Sequence, residues 1–117
     1  MDVNKYQKAA LRTANHGIVD KVDVLTEGVM GLSGEAGECI DLLKKHIFQG
    51  HVFDSERFAE ELGDVAWYLA ISANAIGYNL ETVLQMNIDK LRKRYPDGFD
   101  IKRSVNRDEE NDSEFRG

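Results

Sequence analysis

From Leu25 to Ile47 the apolar residues of this chain step by three and four without a break: Leu25, Val29, Leu32, Ala36, Cys39 or Ile40, Leu43 and Ile47. That spacing keeps them on one side of an α-helix for about six turns and does not fit the two-residue period of a strand. A helix of that length in a chain of 117 residues with one proline points to an all-α fold. The proline, Pro96, comes late, so nothing before it forbids helix. Gly50 provides a stop for the long helix. Asp54 or Ser55 can cap the next, whose apolar face is Phe58, Leu62, Val65, Leu69, Ala73 and Ile76, and Gly77 ends it. A fourth helix, capped by Asn79, carries Leu80, Val83, Leu84, Ile88 and Leu91 and stops before Pro96. At the start, Tyr6, Ala9, Ala10 and Thr13 keep helical spacing between about Val3 and Asn15, with Gly17 available as a terminator. Residues 18–25 stay open between helix and short strand, because Ile18, Val19, Val22 and Val24 suit either. The expected architecture is a helical bundle of about four helices.

Residues 1–100 read as one domain, long enough to bury a core without disulfides. Cys39, the single cysteine, lies in an apolar stretch and is expected to be a buried, inert thiol. The remaining residues, 101–117, are almost wholly polar and are expected to form a mobile tail or a dimer arm that orders on a partner. The N-terminus lacks the apolar core of a secretory signal, and no run approaches the roughly 20 apolar residues of a membrane span. A soluble, cytoplasmic protein with no membrane partner is expected. The formal net charge of −6 argues against a nucleic-acid partner, which calls for a net basic face. The positive charge is concentrated instead: Lys90, Arg92, Lys93 and Arg94 crowd together, and Lys102 and Arg103 follow. Cations at a helix C-terminus suit the dipole whatever else they do.

Two acidic pairs carry the chemical signal. Glu35 and Glu38 are three residues apart in the long helix, and Glu61 and Asp64 repeat that spacing in the next. Each pair therefore projects from one helical face, beside the apolar stripe. With the first helix ending near Phe48 and the second starting near Asp54, an antiparallel hairpin brings the pairs to within roughly 4 to 5 Å of the same level, less than one turn. Four carboxylates at one level repel by roughly 1 kcal/mol or more per close pair even when well screened. A hard divalent cation removes that cost, and an all-carboxylate oxygen set suits Mg²⁺, or Mn²⁺ in its place, better than zinc. Gly28, Gly31, Gly34 and Gly37 recur every third residue in the same helix, each costing about 1 kcal/mol relative to alanine. Something is expected to approach the backbone there, either another helix or a ligand.

These residues resemble a known family. Glu35-x-x-Glu38, then Glu61-x-x-Asp64, set in Gly-Leu-Ser-Gly-Glu-Ala-Gly-Glu at 31–38 and Glu-Glu-Leu-Gly-Asp-Val-Ala-Trp-Tyr-Leu at 60–69, is similar to the signature of the MazG-type all-α nucleoside triphosphate pyrophosphohydrolases. Asn87-x-x-Lys90-Leu-x-x-Arg94-Tyr-Pro96 continues the resemblance, which spans roughly residues 25–100. It implies that Glu35, Glu38, Glu61 and Asp64 bind Mg²⁺ and that a (deoxy)nucleoside triphosphate is cleaved to monophosphate and pyrophosphate. It also implies that Lys90 and Arg94 contact phosphate, with Asn87 one turn earlier. A homodimer or a dimer of dimers, with the bundle completed between subunits, is implied as well.

The residues suit that chemistry. Phosphoanhydride hydrolysis needs a neutralised triphosphate, an activated water and an in-line geometry. A carboxylate not fully engaged with metal can take the proton, and Glu38 and Glu61 are the candidates. Lys90 and Arg94, four apart, can follow the outer phosphates. Trp67 and Tyr68 suit core packing, and Trp67 is also a candidate to stack on the base. His46 and His51 are expected at the surface. A ferritin-like di-iron centre would draw on Glu-x-x-His pairs, and no histidine here lies three residues after a glutamate. A non-catalytic oligomerisation module would explain the helices but not acids beside the core. A related hydrolase acting on another nucleotide phosphoanhydride stays open.

Overall fold

A computed structural model of the chain describes residues 1–102 and 104–106. Four helices follow one another: α1 (Val3–Leu11), α2 (Lys21–Gln49), α3 (Ser55–Ala75) and α4 (Leu80–Arg94). Among the described residues the pairing of extended backbone is limited to an isolated bridge between Pro96 and Gly98. The all-α expectation holds. No helix among the described residues is long and apolar enough to cross a membrane.

Capping residues set most of the boundaries. Asp2 Oδ1 accepts from the Lys5 amide at 2.8 Å, opening α1. Asp20 Oδ1 accepts from the amides of Val22 (2.9 Å) and Asp23 (3.1 Å), so α2 starts at Lys21 and the strand alternative for this stretch falls away. Gly50, at φ 72°, closes α2 in the left-handed conformation that only glycine adopts without strain. Asp54 caps α3 through the Glu56 and Arg57 amides. Gly77, at φ 81°, lets the Tyr78 amide reach back to the Ala73 carbonyl and ends α3. Helix α1 is shorter than its pattern suggests. Thr13 Oγ1 donates to the Ala10 carbonyl at 2.8 Å, and this local bond competes with continuation of the helix.

The chain divides into two compact units, Met1–Glu81 and Thr82–Gly117. In the first, α2 and α3 form an antiparallel hairpin and α1 lies antiparallel on α3. Buried Gln7 fastens α1. Its Nε2 donates to the Ala70 carbonyl (3.1 Å) and the Tyr78 carbonyl (3.3 Å), and its Oε1 accepts from the Leu80 amide (2.9 Å). The first amide of α4 is thus served from α1. Trp67 Nε1 donates to the Ala10 carbonyl (3.2 Å) and Thr13 Oγ1 (2.8 Å). The buried apolar core is small: Ala10, Ala70, Ile71, Ala73 and Leu80.

The apolar stripes of the sequence reading are divided between interior and surface: Leu25, Leu32 and Leu43 of α2 and Phe58 and Val65 of α3 are half-buried, and Ala73 is buried. Val29, Ile40 and Ile47 of α2 are more than half exposed, and Leu62, Leu69 and Ile76, at seven-residue spacing along α3 and its C-cap, are 52%, 39% and 54% exposed. The physical reason is the choice of contact face. Gly28 and Gly31 of α2 meet Ser72 and Tyr68 of α3, and Glu35 meets Glu61.

In the second unit the body of α4 leads into Tyr95 and Phe99, whose rings lie 5.5 Å apart. Residues 101–102 and 104–106 are helical, with the Lys102 amide bound to Asp100 Oδ1 at 2.8 Å. The expectation of a mobile tail or dimer arm falls chiefly on residues 103 and 107–117, outside the described residues.

Candidate metal centre

The hairpin register sets the site. Gly28 of α2 stands against Ser72 of α3 and Gly31 against Tyr68, so one turn further along Glu35 arrives opposite Glu61 and Asp64. One carboxylate oxygen from each of Glu35, Glu61 and Asp64 lies within 4.8 Å of the others. Glu35 and Glu61 are half-buried and Asp64 is exposed, so the trio lies at the mouth of the groove between α2 and α3. Glu38 stands outside that trio, yet its charge is felt at Glu35.

The electrostatics are those of an unneutralised cluster. The Glu35 carboxyl is raised above its ordinary 4.5, first by a hydrogen bond with Glu61, then by burial, then by the charges of Asp64, Glu61 and Glu38. Among the described residues, none of these four acids has a lysine, arginine or histidine within ion-pair distance. Asp41, further along the same helix, shows the contrast. Lys45 and Lys44 lie 2.9 and 3.3 Å from its carboxylate and hold it below its ordinary value. The chain thus pairs one acid of α2 with two lysines and leaves the clustered acids to one another. An all-oxygen, anionic, partly solvated donor set of this kind fits a hard divalent cation.

The Glu35 shift has a testable sign. In metal-free protein the folded chain holds a proton that the unfolded chain releases near pH 4.5, so the stabilisation is present at low pH and fades as pH rises through the raised folded value. Asp41 acts oppositely, its contribution being lost as pH falls below 3.8. In EDTA, Glu35→Gln should flatten the decline of Tm above pH 4.5 and leave the acid limb intact. Superimposable pH profiles for the two proteins would contradict this.

The other sequence candidates separate by unit. Trp67, proposed from the sequence to contact substrate, donates its indole N–H to α1 and meets the Tyr68 ring edge-on at 4.9 Å. Asn87, Lys90 and Arg94 share a face of α4 in the second unit, with Asn87 and Lys90 exposed and Arg94 half-buried. His46 and His51 are exposed at the α2–α3 turn, where His46 Nδ1 lies 2.8 Å from the His51 carbonyl oxygen. Cys39 is half-buried. Two residues near the acids escaped the sequence reading of the site. Asp41 offered no signal beyond its i+3 and i+4 lysines. Tyr6, read only as part of an apolar face, has its phenol pushed above 10.0 by burial and then by Asp64, so α1 brings a hydroxyl within electrostatic range of the cluster.

The family profile of the MazG nucleotide pyrophosphohydrolase domain matches residues 26–99, which include both acidic pairs, most of α2 and all of α3 and α4. The chain is similar to the "Gene 37 protein" of Mycobacterium phage L5, with 41% identity over 101 residues, covering 80% of this chain and 89% of the phage protein. No solved structure matches. With the family profile spanning both carboxylate helices and the basic helix after them, the chain belongs to the MazG nucleotide pyrophosphohydrolase family.

Proposed function

We propose that this protein is a Mg²⁺-dependent hydrolase that cleaves (deoxy)nucleoside triphosphates to the monophosphate and pyrophosphate. The observation that carries the reading is the convergence of Glu35, Glu61 and Asp64 with no lysine, arginine or histidine within ion-pair distance among the described residues. Glu35, Glu38, Glu61 and Asp64 would hold Mg²⁺, or Mn²⁺ as a substitute. When bound, the ion supplies charge neutralisation and orientation for the triphosphate. Glu38 is the better general base of the two sequence candidates, because it stands outside the trio of carboxylates that converge. Lys90 and Arg94 would read the β- and γ-phosphates as one departing group, with Asn87 assisting on the same face. The protein would act in the cytoplasm as a homodimer or dimer of dimers. Its exposed aliphatic stripes support that assembly, since contiguous apolar surface on this scale marks an interaction face.

A panel of nucleoside triphosphates and diphosphates, assayed with Mg²⁺ and with EDTA, tests the activity. Turnover of triphosphates only with Mg²⁺ is expected. Activity confined to diphosphates would favour a related hydrolase, and none at all a binding module. Within α4, Lys90→Ala and Arg94→Ala should each cost about 1 to 3 kcal/mol in kcat/KM, because each leaves substrate charge unpaired. Arg92→Ala should cost little. Equal losses at all three positions would favour a generic cationic helix end.

A further inference from the structure

Gly31 precedes Glu35 by four residues, and Tyr68 follows Asp64 by four, so the two occupy the layer next to the carboxylates. A Cβ built on Gly31 would overlap the Cδ1, Cε1 and Cζ atoms of the Tyr68 ring. In the layer beyond, a Cβ on Gly28 would overlap Ser72 Oγ and lie 3.5 Å from the Ser72 Cα, so the helix backbones themselves come close there. Gly34, Gly37 and Gly63, beside the acids, have nothing within 4 Å in the same direction. Only two of the four periodic glycines of α2 are therefore explained by α3. The Tyr68 ring also has a neighbour of its own. It meets Trp67 edge-on at 4.9 Å and 89°, and the Trp67 N–H is bonded to α1.

We infer that the Gly31–Tyr68 contact, backed by Gly28 against Ser72, sets the α2–α3 separation at which Glu35, Glu61 and Asp64 can share one cation. Gly31 and Tyr68 are then positioning residues for the site, an inference that rests on the metal reading above. The tolerance is narrow. Oxygens on one Mg²⁺ stand about 3 Å apart when adjacent and about 4.2 Å apart when opposite, given metal–oxygen distances near 2.1 Å. Three oxygens within 4.8 Å of one another are close to that spacing, and spreading the helices moves them away from it. A methyl group at position 31 spreads them. One at position 34 meets nothing.

Mn²⁺ titration followed by electron paramagnetic resonance, with helix content checked by circular dichroism, tests this on the full chain. Gly31→Ala should lower Mn²⁺ affinity tenfold or more. The volume swap Gly31→Ala/Tyr68→Leu should recover most of the loss, and Gly34→Ala should bind as the parent does. Unchanged affinity in Gly31→Ala, or no recovery in a folded double variant, would overturn the inference. Nuclear Overhauser contacts between the Tyr68 ring and the Gly31 α-protons are expected in the metal-free parent, and their absence would overturn it independently of any variant. A parent protein that shows those contacts but binds no Mn²⁺ would overturn the metal reading, and with it the positioning role.

Discussion

Replacing Glu61 by glutamine should lower kcat/KM by at least about a hundredfold, since changes merely behind a metal ligand cost 10 to 100-fold. The same substitution should leave the metal-free protein as stable as the parent, or more so. Glutamine nearly preserves the shape, can still donate to Glu35, and removes one of the charges that crowd the groove. Loss of function with no loss of stability is the signature of a site whose residues repel one another until a ligand arrives. In the parent, Mg²⁺ or Mn²⁺ should raise Tm, because it binds the folded chain and not the unfolded one. In Glu61→Gln and Asp64→Asn that rise should shrink or vanish. A variant that loses stability in EDTA and activity in parallel would instead mark Glu61 as a packing residue.

The second large effect is expected at Leu69. It sits midway along Leu62, Leu69 and Ile76, spaced by seven on α3 and at least 39% exposed in the single chain. On the proposed oligomeric reading, the parent should sediment as a dimer or larger in analytical ultracentrifugation and Leu69→Asp as a monomer, with the concentration dependence of Tm abolished. The reasoning is the smallness of the core. The fully buried apolar residues among the described ones are three alanines, Ile71 and Leu80, so in the proposed oligomer covering the outer stripes would add to the stabilisation of helices of 29 and 21 residues. A charge desolvated at the centre of that contact would cost several kcal/mol. A parent that sediments as a monomer, or a Leu69→Asp variant that still assembles, would remove this support for the oligomer.

Much of this was legible before any coordinates. The α2 stop at Gly50 and the α3 cap at Asp54 followed from residue chemistry, and those two points alone fix the hairpin register that aligns the acidic pairs. The end of α1 was not legible, because the spacing of Tyr6, Ala9, Ala10 and Thr13 runs on past Leu11, where the helix stops. Nor was the contact face of α2. Periodicity separates an aliphatic side from a glycine-and-acid side, but it does not say which of them meets the neighbouring helix. Here the glycines decide, since Gly28 and Gly31 admit Ser72 and Tyr68 to the backbone. The bonds of Gln7 and Trp67 join residues more than fifty positions apart and leave no local trace in the sequence.

The position of bond cleavage tests the central claim most directly. On the proposed reading, the carboxylates of α2 and α3 would hold Mg²⁺, which supplies charge neutralisation for the triphosphate, and Lys90 and Arg94 of α4 would bind the two outer phosphates as one leaving group. With the parent enzyme, Mg²⁺ and a nucleoside triphosphate in ¹⁸O-labelled water, mass spectrometry should find the label in the nucleoside monophosphate and none in the pyrophosphate. Release of orthophosphate with a nucleoside diphosphate, or label in the pyrophosphate, would contradict the account.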